Sequence, residues 1–252
     1  MDFGYNMTLC LPGQGDPMEN VPQGHNGLII FSDFDGTIAV KDVGNRLFYH
    51  FSDGRSEEPV ARWRRDEIDS RQCLEQEARL MRDVTEAEVY EFVDRFERDP
   101  GFAGFVSLCR EYALPLYILS DGLDLYVRRL LDKSGMDGIP VMANQAKVEN
   151  SRLVISWPHF AQSCGRCGNC KGYHLRRLKQ PGRLAVYIGD GKSDLCAVPE
   201  ADVIFAKGDL AEFCRREDID FLPFNDFSAI SQMLKARFLK STITPDLEEE
   251  TP

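Results

Sequence analysis

The segment that most constrains the fold of this chain spans residues 27–37 and reads GLIIFSDFDGT. An apolar run of this length, flanked by glycine, is typical of a buried β-strand. Asp33 and Asp35 follow at its carboxyl end, where open parallel sheets bind their ligands. Because side chains alternate along an extended chain, the two carboxyls point the same way. Such a pair suits nucleophilic and proton-transfer chemistry or a magnesium ion. The alternative for this pattern alone is an acidic turn that caps the next helix.

Two later strands are predicted to end on polar residues in the same manner. Residues 114–119 run into Ser120 and Gly122, and residues 184–188 run into a GDGKSD sequence that contains Asp190 and Asp194. Strands that alternate with helical patterns predict an α/β fold with a doubly wound, mostly parallel sheet, whose strand ends meet at one edge. Converging carboxylates repel one another, so we expect a divalent cation, Mg²⁺, between them.

Two residues near this edge are candidates for binding a phosphate. A helix predicted to start at Ser120 would direct its backbone N–H groups at the anion. The simpler alternative is that Ser120 only caps this helix, and the two roles are compatible. Lys171 stands at the start of a helix predicted over residues 171–179, and its compact ammonium suits phosphate.

Composition limits the partners of the chain. A net charge of −11 over 252 residues argues against a nucleic-acid-binding protein, although a local positive pocket remains compatible with an anionic substrate. No apolar run approaches the roughly 20 residues that span a bilayer, and no secretory signal is visible. Eight cysteines without an export signal then indicate reduced thiols in the cytoplasm. We therefore expect a cytoplasmic protein without nucleic-acid or membrane partners, of unspecified oligomeric state.

Composition and hydrophobic periodicity divide the chain into four parts. These are a loose leader at 1–26, a catalytic core at 27–41 and 101–240, a helical insertion at 42–100 and an acidic tail at 241–252. The insertion contains Thr85 and Glu88, a predicted capping box. Within the core, residues 141–170 are predicted to hold a small β-hairpin flap and a cysteine cluster. The RWRR sequence at 62–65 is interpreted as an exposed helix face in preference to an anion-binding patch.

The cysteine cluster is a candidate zinc site. Cys164, Cys167 and Cys170 have a C-x-x-C-x-x-C spacing, and His159 lies five residues upstream. Three cysteines with one histidine are a known structural zinc set. The alternative is a reduced or partly oxidised cluster in a glycine-rich loop. Cys196 is predicted instead to be a buried packing residue.

Four features, taken in chain order, resemble the four motifs of the haloacid dehalogenase superfamily. They are the DFDGT sequence, the strand that ends in Ser120, the residue Lys171, and the GDGKSD sequence. The resemblance spans residues 28–227, and the insertion at 42–100 is similar to the cap domain of the phosphoserine-phosphatase-like branch. The sequence at 157–171, from Trp-Pro-His to Cys-Lys, is similar to a narrower group, the methionine-salvage phosphatases that act on 2-hydroxy-3-keto-5-methylthiopentenyl 1-phosphate.

This resemblance implies roles for the motif residues. Asp33 would attack phosphorus to form an aspartyl-phosphate, and Asp35 would protonate the leaving alkoxide and then activate water. The phosphoryl group would be held by Ser120, Thr37, the Gly122 backbone and Lys171. Mg²⁺ would be bound by Asp33, the Asp35 carbonyl and Asp190, with Asp194 supporting directly or through water. These roles agree with a reaction that depends on positioning and charge stabilisation.

The expected function is Mg²⁺-dependent hydrolysis of a small-metabolite phosphate monoester, with the methionine-salvage substrate suggested by the narrower resemblance. Asp42 aligns with a cap glutamate that holds the substrate amine in phosphoserine phosphatases, and this shorter acid disfavours an amino-acid phosphate. The alternatives are a phosphotransferase, a phosphatase for phosphoserine, pyridoxal phosphate or choline phosphate, and a non-hydrolytic protein that senses metal or redox state on the same fold.

Overall fold

The structure is a computed structural model that describes residues 27–239. The predicted leader at 1–26 and the predicted acidic tail at 241–252 lie outside the described residues. The strands are β1 (Leu28–Ser32), β2 (Leu116–Leu123), β3 (Val141–Glu149), β4 (Arg152–Ser156), β5 (Leu184–Gly189), β6 (Val203–Ala206) and β7 (Leu222–Pro223). The α-helices are α1 (Val43–Phe51), α2 (Glu57–Arg64), α3 (Ser70–Leu80), α4 (Glu86–Val93), α5 (Phe102–Glu111), α6 (Asp124–Asp132), α7 (Lys171–Leu178), α8 (Gly208–Arg216) and α9 (Phe227–Arg237).

Within residues 27–239, strand β1 lies at the centre of a seven-stranded sheet of order β4-β3-β2-β1-β5-β6-β7. All neighbouring strands are parallel except β3 and β4. Residues of β1 alternate between two apolar layers, with Ile30 buried in one and Ile29 and Phe31 buried in the other. A strand covered on both faces is the usual product of a parallel sheet. The predicted α/β class with a doubly wound, mostly parallel sheet is therefore confirmed.

Helices α1 to α4 lie between β1 and α5, within the predicted insertion at 42–100. The chain enters and leaves this insertion side by side, because Ala39 and Arg98 form an antiparallel bridge. Helix α4 starts at the predicted capping box: the Thr85 hydroxyl accepts from the Glu88 backbone, and the Glu88 side chain accepts from the Thr85 backbone. We refer to α1–α4 as the cap helices.

Strand β2 is longer than the sequence predicts. Residues 114–119 read as the strand, whereas β2 runs from Leu116 to Leu123 and α6 begins only at Asp124. The strand continues because, after a register shift, Leu123 pairs with Asn144 of β3. The prediction that a helix starts at Ser120 is therefore wrong, and so is the alternative that Ser120 caps it, since Leu123 occupies the N-cap.

The predicted hairpin is present between β3 and β4, and its turn residues Asn150 and Ser151 have positive φ values of 48° and 57°. Its first strand also pairs with β2, so the flap is an extension of the central sheet. None of the helices between residues 27 and 239 is long and apolar enough to cross a membrane.

Candidate active site

Lys171 connects the ends of two central strands. Its Nζ lies 2.5 Å from Asp33 Oδ1, beyond the end of β1, and 2.5 Å from Asp194 Oδ1, beyond the end of β5. The lysine side chain is fully buried. Burial alone would lower the pKa of Lys171, but Asp194 and Asp33 raise it well above its usual value. Lys171 is therefore a buried cation at the point where the sequence predicts the phosphate site.

Asp194 is fully buried, and four donors occupy its two carboxylate oxygens. Lys171 Nζ and the Tyr187 hydroxyl donate to Oδ1, each at 2.5 Å. The backbone N–H groups of Asp190 and Gly191 donate to Oδ2 at 2.8 and 2.9 Å. A carboxylate has about four lone-pair positions, so Asp194 has none to offer a metal ion in this arrangement. Of the two predicted roles for Asp194, the structure favours indirect support over direct coordination of Mg²⁺.

Asp33, Asp190 and Asp194 place one carboxylate oxygen each within 4.8 Å of one another. Lys171 offsets only part of this negative charge, and burial, followed by the Asp194 charge, raises the pKa of Asp190 to about 6. Carboxylate oxygens are the ligands that Mg²⁺ prefers. The donor chemistry and the excess negative charge of this cluster therefore fit a divalent cation, with Asp33 and Asp190 as its side-chain ligands.

Thr37 supports Asp190. Its hydroxyl donates to Asp190 Oδ1 at 2.9 Å, and its side chain is fully buried and does not line the cavity described below. The structure thus places this hydroxyl on a carboxylate, away from the phosphoryl position implied by the family resemblance. Gly36, with φ +74°, leaves room for the same carboxylate, since a Cβ there would lie 2.3 Å from Asp190 Oδ2.

Asp35 is held by the first turn of the cap helices. Its Oδ1 accepts from the backbone N–H groups of Val43 and Gly44 at 2.8 and 3.3 Å, and its Oδ2 accepts from the Tyr126 hydroxyl at 2.7 Å. Burial, followed by the charge of Asp42, raises the pKa of Asp35 to about 7. A carboxyl with this pKa can both donate and accept a proton near neutral pH.

A cavity of about 720 Å³ separates the strand ends from the cap helices. Asp33, Asp35, Ser120, Gly122 and Asp190 line its floor, and Asp42, Trp63, Arg64 and Glu77 line its cap side. Lys192 links the two sides, because its Nζ donates to the backbone carbonyls of Trp63 and Arg64 at 3.1 and 3.0 Å. The predicted exposed helix face fits Arg64 and Arg65, which are exposed at the end of α2, whereas Trp63 is half-buried and lines the cavity together with Arg64.

Residues 30–198 match the family model of haloacid dehalogenase-like hydrolases. The chain belongs to this family. It is 30% identical over 212 residues to the 2-hydroxy-3-keto-5-methylthiopentenyl-1-phosphate phosphatase of Bacillus cereus (strain G9842), a match that covers 82% of this chain and 95% of the relative. The predicted superfamily and the prediction of a hydrolytic enzyme are thus confirmed.

Solved structures support the fold of this haloacid dehalogenase-like hydrolase. A phosphoserine phosphatase with a phospho-aspartyl intermediate analogue superposes with a TM-score of 0.63 at 17% identity, over 83% of this chain and 99% of the other. A haloacid dehalogenase family hydrolase from Salmonella enterica subsp. enterica serovar Typhi gives a TM-score of 0.65 at 17% identity, over 83% and 72%. At this identity the likeness concerns the fold alone.

Tyr126 is a site residue that the sequence analysis does not single out. Its hydroxyl occupies the space left by two glycines of the hydrolase, since a Cβ at Gly122 or Gly44 would lie 1.7 or 2.8 Å from it. Gly122 therefore makes room for the Tyr126–Asp35 hydrogen bond, in addition to its predicted backbone role. The signal available in the sequence is a phenol within an otherwise aliphatic stripe, because a buried Tyr hydroxyl needs a polar partner.

Asp121 joins the core of the hydrolase to its cap. Its Oδ2 accepts from the hydroxyl of Ser70, the first residue of α3, at 2.5 Å, and its Oδ1 accepts from the Asn169 backbone at 2.7 Å. Asn169 in turn donates to the Ser120 carbonyl at 3.0 Å. These bonds hold the Ser120 carbonyl and the Asp121 side chain, and the Ser120 Oγ accepts from the Gly122 N–H at 3.0 Å. Ser120 is therefore positioned by its neighbours.

Glu77 of α3 is a further residue that the sequence analysis does not single out. Its side chain is 3% exposed and lines the cavity, and Oε1 has no hydrogen-bond partner among the described residues. Burial is the main cause that raises its pKa to about 8. The signal in the sequence is its spacing, three residues after Leu74 and four before Met81, which places it on the same helix face as these apolar residues.

The predicted zinc ligand set needs a correction at one position. The Sγ atoms of Cys164, Cys167 and Cys170 lie together as predicted, but the fourth member of the group is Cys196. His159 packs its ring against the ring of His174, with 4.8 Å between centroids. The prediction for Cys196 as a buried helical packing residue is also wrong, because it lies half-buried in a loop between two short 3₁₀ turns.

Proposed function

We propose that this hydrolase cleaves the phosphate monoester of a small metabolite in a Mg²⁺-dependent reaction, with 2-hydroxy-3-keto-5-methylthiopentenyl 1-phosphate as the foremost candidate substrate. The observation that carries the proposal is the Lys171 ammonium between Asp33 and Asp194, next to Asp190 and below the cavity between the strand ends and the cap helices. The Bacillus cereus relative supports the choice of substrate, because its match covers nearly its whole length.

In the proposed reaction Asp33 attacks phosphorus, and the bond from phosphorus to the substrate oxygen breaks. Asp35 gives its proton to the departing alkoxide, for which its pKa of about 7 is suited. The ionised Asp35 then takes a proton from the water that cleaves the aspartyl-phosphate. Lys171 holds one oxygen of Asp33 throughout. Because the Ser120 oxygen already accepts from Gly122, its own proton can be donated to a phosphoryl oxygen.

Asp33, the Asp35 carbonyl and Asp190 would hold Mg²⁺, which when bound neutralises charge on the carboxylates and the phosphoryl oxygens. Asp194 orients the chain's own groups around this position, since it binds Lys171 and the Asp190 backbone. The amide donors on Asp194 thereby set the direction of the Asp190 segment.

A substrate panel with and without Mg²⁺ tests the proposal. The panel contains p-nitrophenyl phosphate, 2-hydroxy-3-keto-5-methylthiopentenyl 1-phosphate, phosphoserine, pyridoxal phosphate and choline phosphate. We expect Mg²⁺-dependent turnover that EDTA abolishes and added Mg²⁺ restores, with the highest kcat/KM on the methionine-salvage compound. Turnover of no compound by metal-loaded protein would contradict the proposal and favour a non-hydrolytic sensor. Full turnover in EDTA would contradict the role of Mg²⁺.

A second candidate substrate class, the phosphate esters of small amines, is favoured by one observation. Glu77 and Asp42 both line the cavity, and Glu77 Oε1 has no partner among the described residues. A bound ammonium group would pair with Asp42 and would favour ionisation of Glu77, which otherwise keeps its proton near neutral pH. The same panel separates the candidates: a kcat/KM for phosphoserine or choline phosphate above that for the methionine-salvage compound would favour the amine class.

A Glu77→Gln variant is expected to gain stability over the wild type as pH rises. The pKa of Glu77 is about 8 in the folded protein and 4.5 ordinarily, so the folded chain keeps a proton that the unfolded chain releases. The stability from this proton is complete below the ordinary pKa and is lost as pH rises through the folded value. Between about pH 5 and about pH 9, we expect the difference in unfolding free energy to change by up to a few kcal/mol.

Chemical denaturation across this pH range measures the effect. Glu75→Gln is the matched control, because Glu75 lies on the same helix, is 29% exposed and pairs with Arg71. We expect that control to follow the wild type. Parallel pH curves for Glu77→Gln and wild type would show that Glu77 is ionised in the folded protein.

A further inference from the structure

Four cysteines from two separate segments meet beside the candidate active site. Cys164, Cys167 and Cys170 lie in the loop before α7, and Cys196 lies after Asp194. Their sulfur atoms all lie within 4.8 Å of one another, with 3.5 Å between Cys164 and Cys167 and 3.8 Å between Cys167 and Cys196. All four are free thiols.

These distances match a tetrahedral metal centre. Four sulfurs at the Zn–S distance of about 2.3 Å lie roughly 3.8 Å from one another. A disulfide would bring two sulfurs to about 2.0 Å. Only a small contraction around an ion would therefore complete the arrangement, and tetrahedral sets of four thiolates bind zinc or iron–sulfur centres.

The backbone around the cluster also permits metal binding. Cys170 is the N-cap of α7, where the helix dipole favours a thiolate. Gly172, in the first turn of the same helix, allows the Cys196 segment to approach, because a Cβ there would lie 2.1 Å from the Cys196 carbonyl oxygen. Cys167 and Cys170 are buried, whereas Cys164 is exposed at the open side of the cluster.

We propose that Cys164, Cys167, Cys170 and Cys196 bind one structural Zn²⁺ ion that joins the loop before α7 to the loop after β5. Both segments carry residues of the candidate active site. Cys170 directly precedes Lys171, and Cys196 follows Ser193 and Asp194, which both bind the Lys171 ammonium. The metal therefore holds the Lys171–Asp194 pair in register, and the cysteines act as positioning residues.

Metal analysis and X-ray absorption on the purified full chain test this site independently of any turnover. We expect one zinc per chain and a first shell of four sulfurs at about 2.3 Å. A shell of three sulfurs and one nitrogen would contradict the assignment of Cys196 and favour His159. Iron in place of zinc, a Cys164–Cys167 disulfide, or metal-free protein with all thiols titratable would each overturn the proposal.

Three variants sharpen the assignment. Cys196→Ser is expected to lower the zinc content at least tenfold, whereas His159→Ala is expected to keep it. Cys214→Ser is the matched control and should also keep the zinc, because Cys214 is a buried cysteine of α8 outside the cluster. Zinc retained by Cys196→Ser would overturn the proposal. If the Cys196→Ser variant does not fold, the number of sulfur ligands that X-ray absorption finds in the wild-type protein still tests the assignment of Cys196. Absence of turnover in the substrate panel would contradict the proposed function but would not change the outcome of the zinc analysis.

Discussion

An Asp33→Asn variant is expected to lose phosphate-ester hydrolysis by roughly 10⁴-fold to 10⁶-fold in kcat, the range seen when an enzyme loses one residue of its catalytic unit. An amide oxygen is a far weaker nucleophile than a carboxylate, and the variant cannot form the aspartyl-phosphate. The fold should persist, because asparagine has the same shape and Lys171 keeps its second partner, Asp194. Turnover of p-nitrophenyl phosphate with Mg²⁺, together with thermal unfolding, measures both effects.

Asp132→Asn is the matched control for this prediction. Asp132 is exposed at the end of α6, so the same chemical change there should leave kcat unaltered. An Asp33→Asn protein that still turned over the aryl phosphate at a rate near that of the control would rule out Asp33 as the nucleophile. Loss of the folded state in the variant would show that the Asp33 charge is needed for stability.

A Lys171→Met variant is expected to have the largest effect on stability. Methionine fills much of the same volume but leaves the buried carboxylates of Asp33 and Asp194 without their shared cation, as both side chains are at most 5% exposed. Breaking a buried ion pair from one side costs about 3–5 kcal/mol. We expect a loss of this size in unfolding free energy near neutral pH, together with loss of hydrolysis, measured by denaturation and by aryl phosphate turnover.

Two comparisons identify the cause of that loss. Lys179→Met changes a partly exposed lysine at the other end of α7, 3.6 Å from Asp202, and should cost at most about 1 kcal/mol. Adding Asp33→Asn to Lys171→Met should recover part of the stability, because one uncompensated charge is removed. If the double variant were less stable than Lys171→Met, the loss would come from packing and not from charge.

The fold was largely predictable because its signals are local. The apolar run of β1 and the acids that follow it lie within eleven residues of sequence. Lys171, at the start of α7, can likewise be recognised from its position at the beginning of a helical pattern. Parallel strands then bring these ends to one edge without any further information. Where local signals compete with tertiary pairing, prediction is weaker: β2 continues past Ser120 because Leu123 pairs with Asn144.

The details of the site depend on contacts between distant segments. Cys196 has no cysteine-rich surroundings in sequence, yet it lies beside a cluster that ends 26 residues earlier, at Cys170. Trp63 belongs to a charged run that resembles a solvated face, yet it lines the cavity, and Lys192 donates to its backbone carbonyl from a distant loop. The hydrogen bonds that Tyr187 and the Asp190 backbone donate to the two carboxylate oxygens of Asp194 likewise depend on the folded structure around this residue.

The most direct measurement is chemical trapping of the covalent intermediate. The wild-type protein, mixed with Mg²⁺ and its best substrate, is quenched and reduced with borohydride, which converts an aspartyl-phosphate to homoserine, and the peptides are read by mass spectrometry. We expect homoserine at position 33 and nowhere else, with none when substrate is omitted. Active protein with an unmodified Asp33, or with the modification at Asp35, would contradict the proposed role of Asp33.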